Sequence, residues 1–244
     1  MTLPGDSPDD YQWLLGAERS LLEDQAELAV RTHVLSVYDR RGQVIWGDRG
    51  GGGLSGWAVS GSGTGNSVKV TAAGTYFPGF AFLMTAGSTL SLLSQMVHYF
   101  SPAERNRWGV EIAVGIISEF DRFSVYLARF DGSFQYLAAA RMNRTLSKLQ
   151  VWGEDNDYHD VAALSNPVNA DGIYQHLKLV ADFDAGRNVR LLYNENEYDV
   201  SAYGLGVSAA TDIVQQRIAL NLFGRAGQND TCRIGNVILT VGEP

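Results

Sequence analysis

Apolar and polar positions alternate with period two along much of this chain, most densely between Tyr174 and Val200. There Leu177, Leu179, Ala181 and Phe183 alternate with His176, Lys178, Val180 and Asp182, which predicts a strand with one buried face and one wetter face. Asp184-Ala185-Gly186 follows, and Gly186 can supply the positive φ that a tight hairpin needs. Val189, Leu191 and Tyr193 then alternate against Asn188, Arg190 and Leu192. Asn194-Glu195-Asn196 makes a second turn, and Glu197-Tyr198-Asp199-Val200 restarts a strand. Three strands joined by short polar turns predict an antiparallel meander, whose apolar face must be covered by a second layer.

The pattern continues on both sides. Strands are expected at Leu54 to Ser60, Val68 to Thr71, Tyr76 to Thr85, Thr89 to Phe100, Phe123 to Phe130, Phe134 to Met142, Ser147 to Trp152, Tyr158 to Leu164, Ile213 to Phe223 and Cys232 to Val241. From Trp108 to Ser118 the alternation is clean: Trp108, Val110, Ile112, Val114 and Ile116 on one face, Gly109, Glu111, Ala113 and Gly115 on the other. The small residues of that second face predict a shallow concave surface. The total is about thirteen or fourteen strands, a usual number for two packed sheets.

The amino-terminal part reads differently. Ser7 caps, Pro8 fits the first turn, and an amphipathic helix is expected to about Arg31, with Leu14, Ala17, Leu21 and Leu28 along one stripe. That stripe is a candidate assembly interface. A hairpin follows, Val34 to Tyr38 and Gln43 to Trp46 around Asp39-Arg40-Arg41-Gly42, and then a glycine-rich run, Gly47 to Gly53. The expected division is residues 1–53, an arm of helix, hairpin and glycine linker, and residues 54–244, the β domain.

The stretch YQHLKLVADFDAGRNVRLLYNENEYDVS, followed by QRIALNLFGRAGQNDTCRIGNVILTV, resembles the closing half of a concanavalin A-like (laminin G-like) jelly-roll sandwich. The last strand, Ile234-Gly235-Asn236-Val237-Ile238-Leu239, matches that family's final strand, with Gly235 where many relatives carry an acid. The resemblance covers roughly Leu54 to Val241 and implies a mainly β fold, a two-sheet antiparallel jelly-roll sandwich preceded here by the helix and the hairpin. The stretch VYDRRGQVIWGDRGGGGLSGWAVSGSGTGNSVKVTAAGTYFPGFAFLMTAGS is similar to the opening of lectin-like sandwich proteins among tailed-phage virion components.

Composition narrows the partners. The chain has 244 residues, 45% hydrophobic, with 27 glycines and a formal net charge of −8. That charge argues against non-specific nucleic-acid binding, which runs on Lys and Arg neutralising phosphates. Cys232 is the only cysteine, so no disulfide forms within the chain. Neither a signal peptide nor an apolar run of membrane-spanning length is seen, and the expectation is synthesis in a host cytoplasm with no membrane partner.

Candidate chemistry is sparse. The four histidines, His33, His98, His159 and His176, form no metal-ligand motif. Glu154-Asp155-Asn156-Asp157 lacks the glycine and distal Glu of a calcium loop and reads as a solvated turn. Gly61-Ser62-Gly63-Thr64-Gly65 lacks the Lys of a phosphate loop, and no G-x-S-x-G elbow is present. The paired acids of related glucanases have no counterpart in register with Glu111. Trp108-Gly109-Val110-Glu111 resembles a galectin fragment, but alternation sends Trp108 and Glu111 to opposite faces. No catalytic residue, cofactor or metal is expected. The first expectation is a non-enzymatic virion structural protein, a head-decoration or minor subunit, working as a homo-oligomer or in a larger shell. The alternative is a carbohydrate-binding module with glycan contacts at Trp57, Tyr76, Trp152 and Tyr158. A glycoside hydrolase comes third.

Overall fold

Sixteen strands make up the described part of the chain, residues 39, 41–73, 79–88, 93–101, 107–164 and 173–244 of a computed structural model. In order they are β1 (Gln43–Asp48), β2 (Ala58–Gly61), β3 (Ser67–Thr71), β4 (Ala81–Thr85), β5 (Leu93–Phe100), β6 (Arg107–Ile116), β7 (Arg122–Phe130) and β8 (Phe134–Asn143). The rest are β9 (Lys148–Trp152), β10 (Tyr158–Ala163), β11 (Tyr174–Asp182), β12 (Arg187–Tyr193), β13 (Asn196–Asp199), β14 (Gly206–Ala209), β15 (Gln215–Phe223) and β16 (Thr231–Val241).

They form two eight-stranded antiparallel sheets. Sheet A runs β13-β12-β11-β6-β16-β4-β3, with β1 also on β16. Sheet B runs β10-β9-β8-β7-β15-β5-β2, with β14 also on β8. Two long strands share one edge between two partners. β16 pairs β4 through Thr231–Ile234 and β1 through Val237–Val241, with a bulge at Gly235. β8 pairs β14 through Phe134–Leu137 and β9 through Ala140–Asn143.

The predicted alternation builds the core. Trp108, Val110, Ile112, Val114 and Ile116 of β6 meet Phe123, Val125 and Leu127 of β7 and Ile218, Leu220 and Leu222 of β15 in one buried cluster. Gly186 takes φ 65° in the β11–β12 hairpin, as its turn requires. The meander of β11, β12 and β13 is as expected.

Several expectations meet a different outcome. The second strand of the amino-terminal hairpin is present as β1, but it is hydrogen-bonded to β16, so a strand from before the glycine run belongs to sheet A. Its expected partner at 34–38 and the helix with Leu14, Ala17, Leu21 and Leu28 lie outside the described residues. β14 was not anticipated: Gly206-Val207-Ser208-Ala209 is too short to show a period. Lys178, placed on a wetter face, is fully buried. Its ammonium lies 2.8 Å from Asp39 Oδ2 and 2.8 Å from Glu243 Oε1. Arg190 pairs Glu243 in turn and lies 3.6 Å from Asp39. A buried lysine is sustained only by such pairing. The shallow concavity expected over Gly109 is filled by the same group, since a Cβ there would stand 2.5 Å from Thr240 Oγ1 and 2.7 Å from Glu243 Oε1.

Candidate functional site

The outward face of sheet A is closed over β6, β11 and β16. Glu111, Ala113, Lys178, Val180, Ile238 and Thr240 all point away from the core and are at most 1% exposed. The outward face of sheet B is open in part, and side chains of different strands line up on it.

Strand register makes this alignment. Ser60 pairs Gln95, Gln95 pairs Asn221, Asn221 pairs Ser124, Ser124 pairs Arg141, Arg141 pairs Gln150 and Gln150 pairs Asp160. One polar row therefore crosses all seven strands of the path β2-β5-β15-β7-β8-β9-β10. Hydrogen bonds link its members at both ends. Ser60 Oγ donates to Gln95 Oε1 at 3.0 Å, and Gln95 Nε2 to Asn221 Oδ1 at 2.9 Å. Arg141 Nε donates to Gln150 Oε1 at 2.6 Å, and Gln150 Nε2 to Asp160 Oδ1 at 2.7 Å. Lys148 Nζ stands 3.2 Å from the other oxygen of Asp160.

Two residues along each strand, the next row is aromatic and small. Ala58, Val97, Ala219, Tyr126 and Ala139 are cross-strand partners in sequence, and Trp152 pairs Tyr158 at its far end. Ala139, buried, leaves room for tyrosines to lie over the sheet: the Tyr158 hydroxyl donates to the Tyr126 hydroxyl at 3.3 Å. The Trp152 ring meets Tyr158 edge-on at 4.8 Å, and the Arg141 guanidinium covers the Tyr158 ring at 3.6 Å. Burial, with the Tyr126 hydroxyl beside it, pushes the Tyr158 hydroxyl far above its usual value, so it stays a neutral donor. Burial also pulls the Arg141 guanidinium down.

Of the residues named from sequence, the structure brings Trp152 and Tyr158 into contact on this face. Trp57 lies elsewhere, 7% exposed, with its Nε1 donating to Asp48 Oδ2 at 2.8 Å and its ring against Phe82. Tyr76 lies outside the described residues. Trp108 and Glu111 fall on opposite faces, as alternation requires. Tyr126, Arg141, Gln150 and Asp160 were missed. Each was visible as a polar outward position of a strand, but their alignment depends on which strands are neighbours.

No protein-family model and no characterised protein matches the chain by sequence. Solved structures do match in shape. One is a protein of unknown function with a galectin-like fold from Bacillus subtilis, with TM-score 0.54, 11% identity, and 83% of this chain and 97% of that one covered. Another is an endo-1,3-beta-glucanase from Streptomyces sioyaensis, with TM-score 0.53, 11% identity, and 86% and 99% covered. A third is a carbohydrate esterase from the Shiga toxin-encoding bacteriophage phi24B, with TM-score 0.50, 9% identity, and 82% and 99% covered. The fold is a concanavalin A-like jelly roll. At these identities the likeness speaks to fold alone. The chain spans 19% of a sialidase that also matches.

Elsewhere on this jelly roll, a polar recess of about 540 Å³ is lined by Tyr174, Gln175, His176, Asn194, Glu195 and Asn196. Burial lowers the His176 pKa there. A smaller one, about 310 Å³, lies between Arg129, Asp131 and Tyr136 of sheet B and the β11–β12 turn of sheet A. Among the described residues no group of three or more His, Cys, Asp or Glu is placed to hold a metal ion. Cys232 is fully buried, which pushes its thiol up and away from reactivity.

Proposed function

We propose that the protein is a carbohydrate-binding module and that the outward face of sheet B, around Trp152, Tyr158, Arg141, Gln150 and Asp160, holds the glycan. The observation that carries this reading is the seven-strand polar row beside the Trp152–Tyr158–Tyr126 run. A sugar ring offers apolar C–H edges and paired hydroxyls. An aromatic side chain with a polar neighbour on one surface meets both needs. Gln150, 4% exposed, holds the exposed Asp160 by a hydrogen bond, so little of that carboxylate's freedom is lost when a hydroxyl displaces its water.

Binding is favoured over cleavage on geometry. Glycoside hydrolysis by paired carboxyls needs two of them about 5–9 Å apart across the cleft. Among the described residues the polar row carries one, Asp160, and Lys148 and Gln150 already engage it. The expected virion role rests on the resemblance of residues 37–88 and on an arm outside the described residues, whereas glycan binding is read from the sandwich.

A glycan array followed by titration tests the reading. Saturable binding by the native chain, lost in Trp152→Ala while the circular dichroism spectrum is kept, supports it. Failure of the native chain to bind any glycan, or full binding by Trp152→Ala, overturns it.

A further inference from the structure

Resting on that reading, we infer that the glycan is acidic, a uronate-containing polysaccharide whose carboxylates pair with Arg141 and its neighbours on sheet B. The chain as a whole carries a net charge of −8. This face departs from that balance. The outward positions of β7, β8, β9, β10 and β15 include Arg122, Arg141, Lys148 and Arg217, against Asp160 as the one carboxylate. Two of the cations are balanced locally: Arg122 lies 3.3 Å from Asp121, and Lys148 3.2 Å from Asp160. Arg141 and Arg217 have no carboxylate within ion-pair distance among the described residues. Arg217 lies over the Phe130 ring at 4.8 Å.

Arg141 is the best placed. Its Nε is fixed by Gln150 and its plane by Tyr158, so the guanidinium is held rigidly on the sheet. Its two Nη groups make no hydrogen bond among the described residues. A planar fork with its Nε held and both Nη groups open suits a carboxylate taken end-on. Burial costs this cation part of its hydration, which the more distant charge of Asp157 offsets only in part, and an anionic ligand returns the rest. Trp152, partly exposed alongside, gives the sugar ring an apolar surface next to the charge. Tyr158, covered by Arg141, acts as a positioning residue. An isolated phosphate or sulfate would use the charge but not this aromatic flank, whereas a uronate uses both.

The test uses the full chain and three polyuronates, polygalacturonate, alginate and hyaluronan, each beside its carboxyl-reduced neutral counterpart. At least one polyuronate binds, and carboxyl reduction weakens it tenfold or more. Arg141→Gln loses at least tenfold, Arg141→Lys retains part of the affinity, and binding weakens as salt rises. Asp160→Asn, at an exposed position that keeps its acceptor for Gln150, tightens binding several-fold, an effect no folding defect would produce. Equal binding of the reduced polymers, or binding of neutral glycans alone, removes this inference and leaves the glycan-binding reading intact. Binding of no glycan of either kind overturns both. Binding of heparin and a DNA oligonucleotide as tightly as the best polyuronate would mark simple charge attraction and also overturn it.

Discussion

Replacing Lys178 by Met tests the physical account of sheet A most directly. Lys178 is fully buried, and so is Glu243, while Asp39 is 6% exposed. The substitution keeps the aliphatic stem but removes a charge 2.8 Å from each of two carboxylates. Breaking a buried ion pair from one side costs about 3–5 kcal/mol, because the remaining charge is left in a dry site. Each carboxylate here keeps a second cation: Arg190 on Glu243, and Arg41 on Asp39 at 2.9 Å. The expected loss is therefore at the low end, about 3 kcal/mol, or a fall in melting temperature of about 6–12 °C for a domain of this size. Urea unfolding at pH 7 measures it, and the Glu243→Gln single and double variants close a cycle with a coupling of about 1–3 kcal/mol. Acid gives a second readout. Burial raises the Asp39 pKa, but hydrogen bonds from Arg41 and Lys178 outweigh it and hold the carboxyl at about 2, below the ordinary 3.8. A carboxyl depressed in the folded state stabilises above its unfolded value, so this contribution is full above about pH 4 and is lost as the pH falls towards 2. Lys178→Met should flatten that part of the acid limb. A variant within about 0.5 kcal/mol of the parent at pH 7, with no coupling to Glu243, would refute the reasoning.

Three further outcomes are expected. Gly109→Ala puts a Cβ 2.5 Å from Thr240 Oγ1 and 2.7 Å from Glu243 Oε1, and should destabilise by about 1–3 kcal/mol in urea unfolding. Gly206→Ala puts a Cβ 2.4 Å from Trp152 Nε1, so it should shift the indole and lower glycan affinity several-fold in titration while the sandwich stays folded. His176 is held below its ordinary pKa by burial, so the unfolded chain takes up its proton first as the pH falls through about 6.5, and stability declines below that point. In His176→Gln, melting curves between pH 7 and 5 should lose that slope.

How much of this was legible beforehand varies with the range of the interaction. Trp108 to Ile116 and Leu177 to Phe183 declared their inward faces by period two alone, because successive side chains on a strand point opposite ways whatever the strand pairs with. Gly186 announced its turn for an equally local reason, a backbone angle that favours glycine. Trp152 and Tyr158 could be named as surface aromatics, and they meet because a short turn joins their strands. Lys178 could not be placed. Its burial depends on Asp39 and Glu243, which lie 139 residues before it and 65 after it in the chain order fixed by their numbers. Trp57 looked like any aromatic beside a glycine-rich turn until Asp48 gave its indole a partner inside.

By itself the sequence determined the longer strands, though not β14, and where the chain turns between them, since each depends on neighbours a few positions away. Tertiary structure alone decided that β2, β5, β15, β7, β8, β9 and β10 stand side by side in that order. The polar row from Ser60 to Asp160 exists only in that arrangement, because hydrogen-bonded register, and not distance along the chain, sets which side chains share a surface.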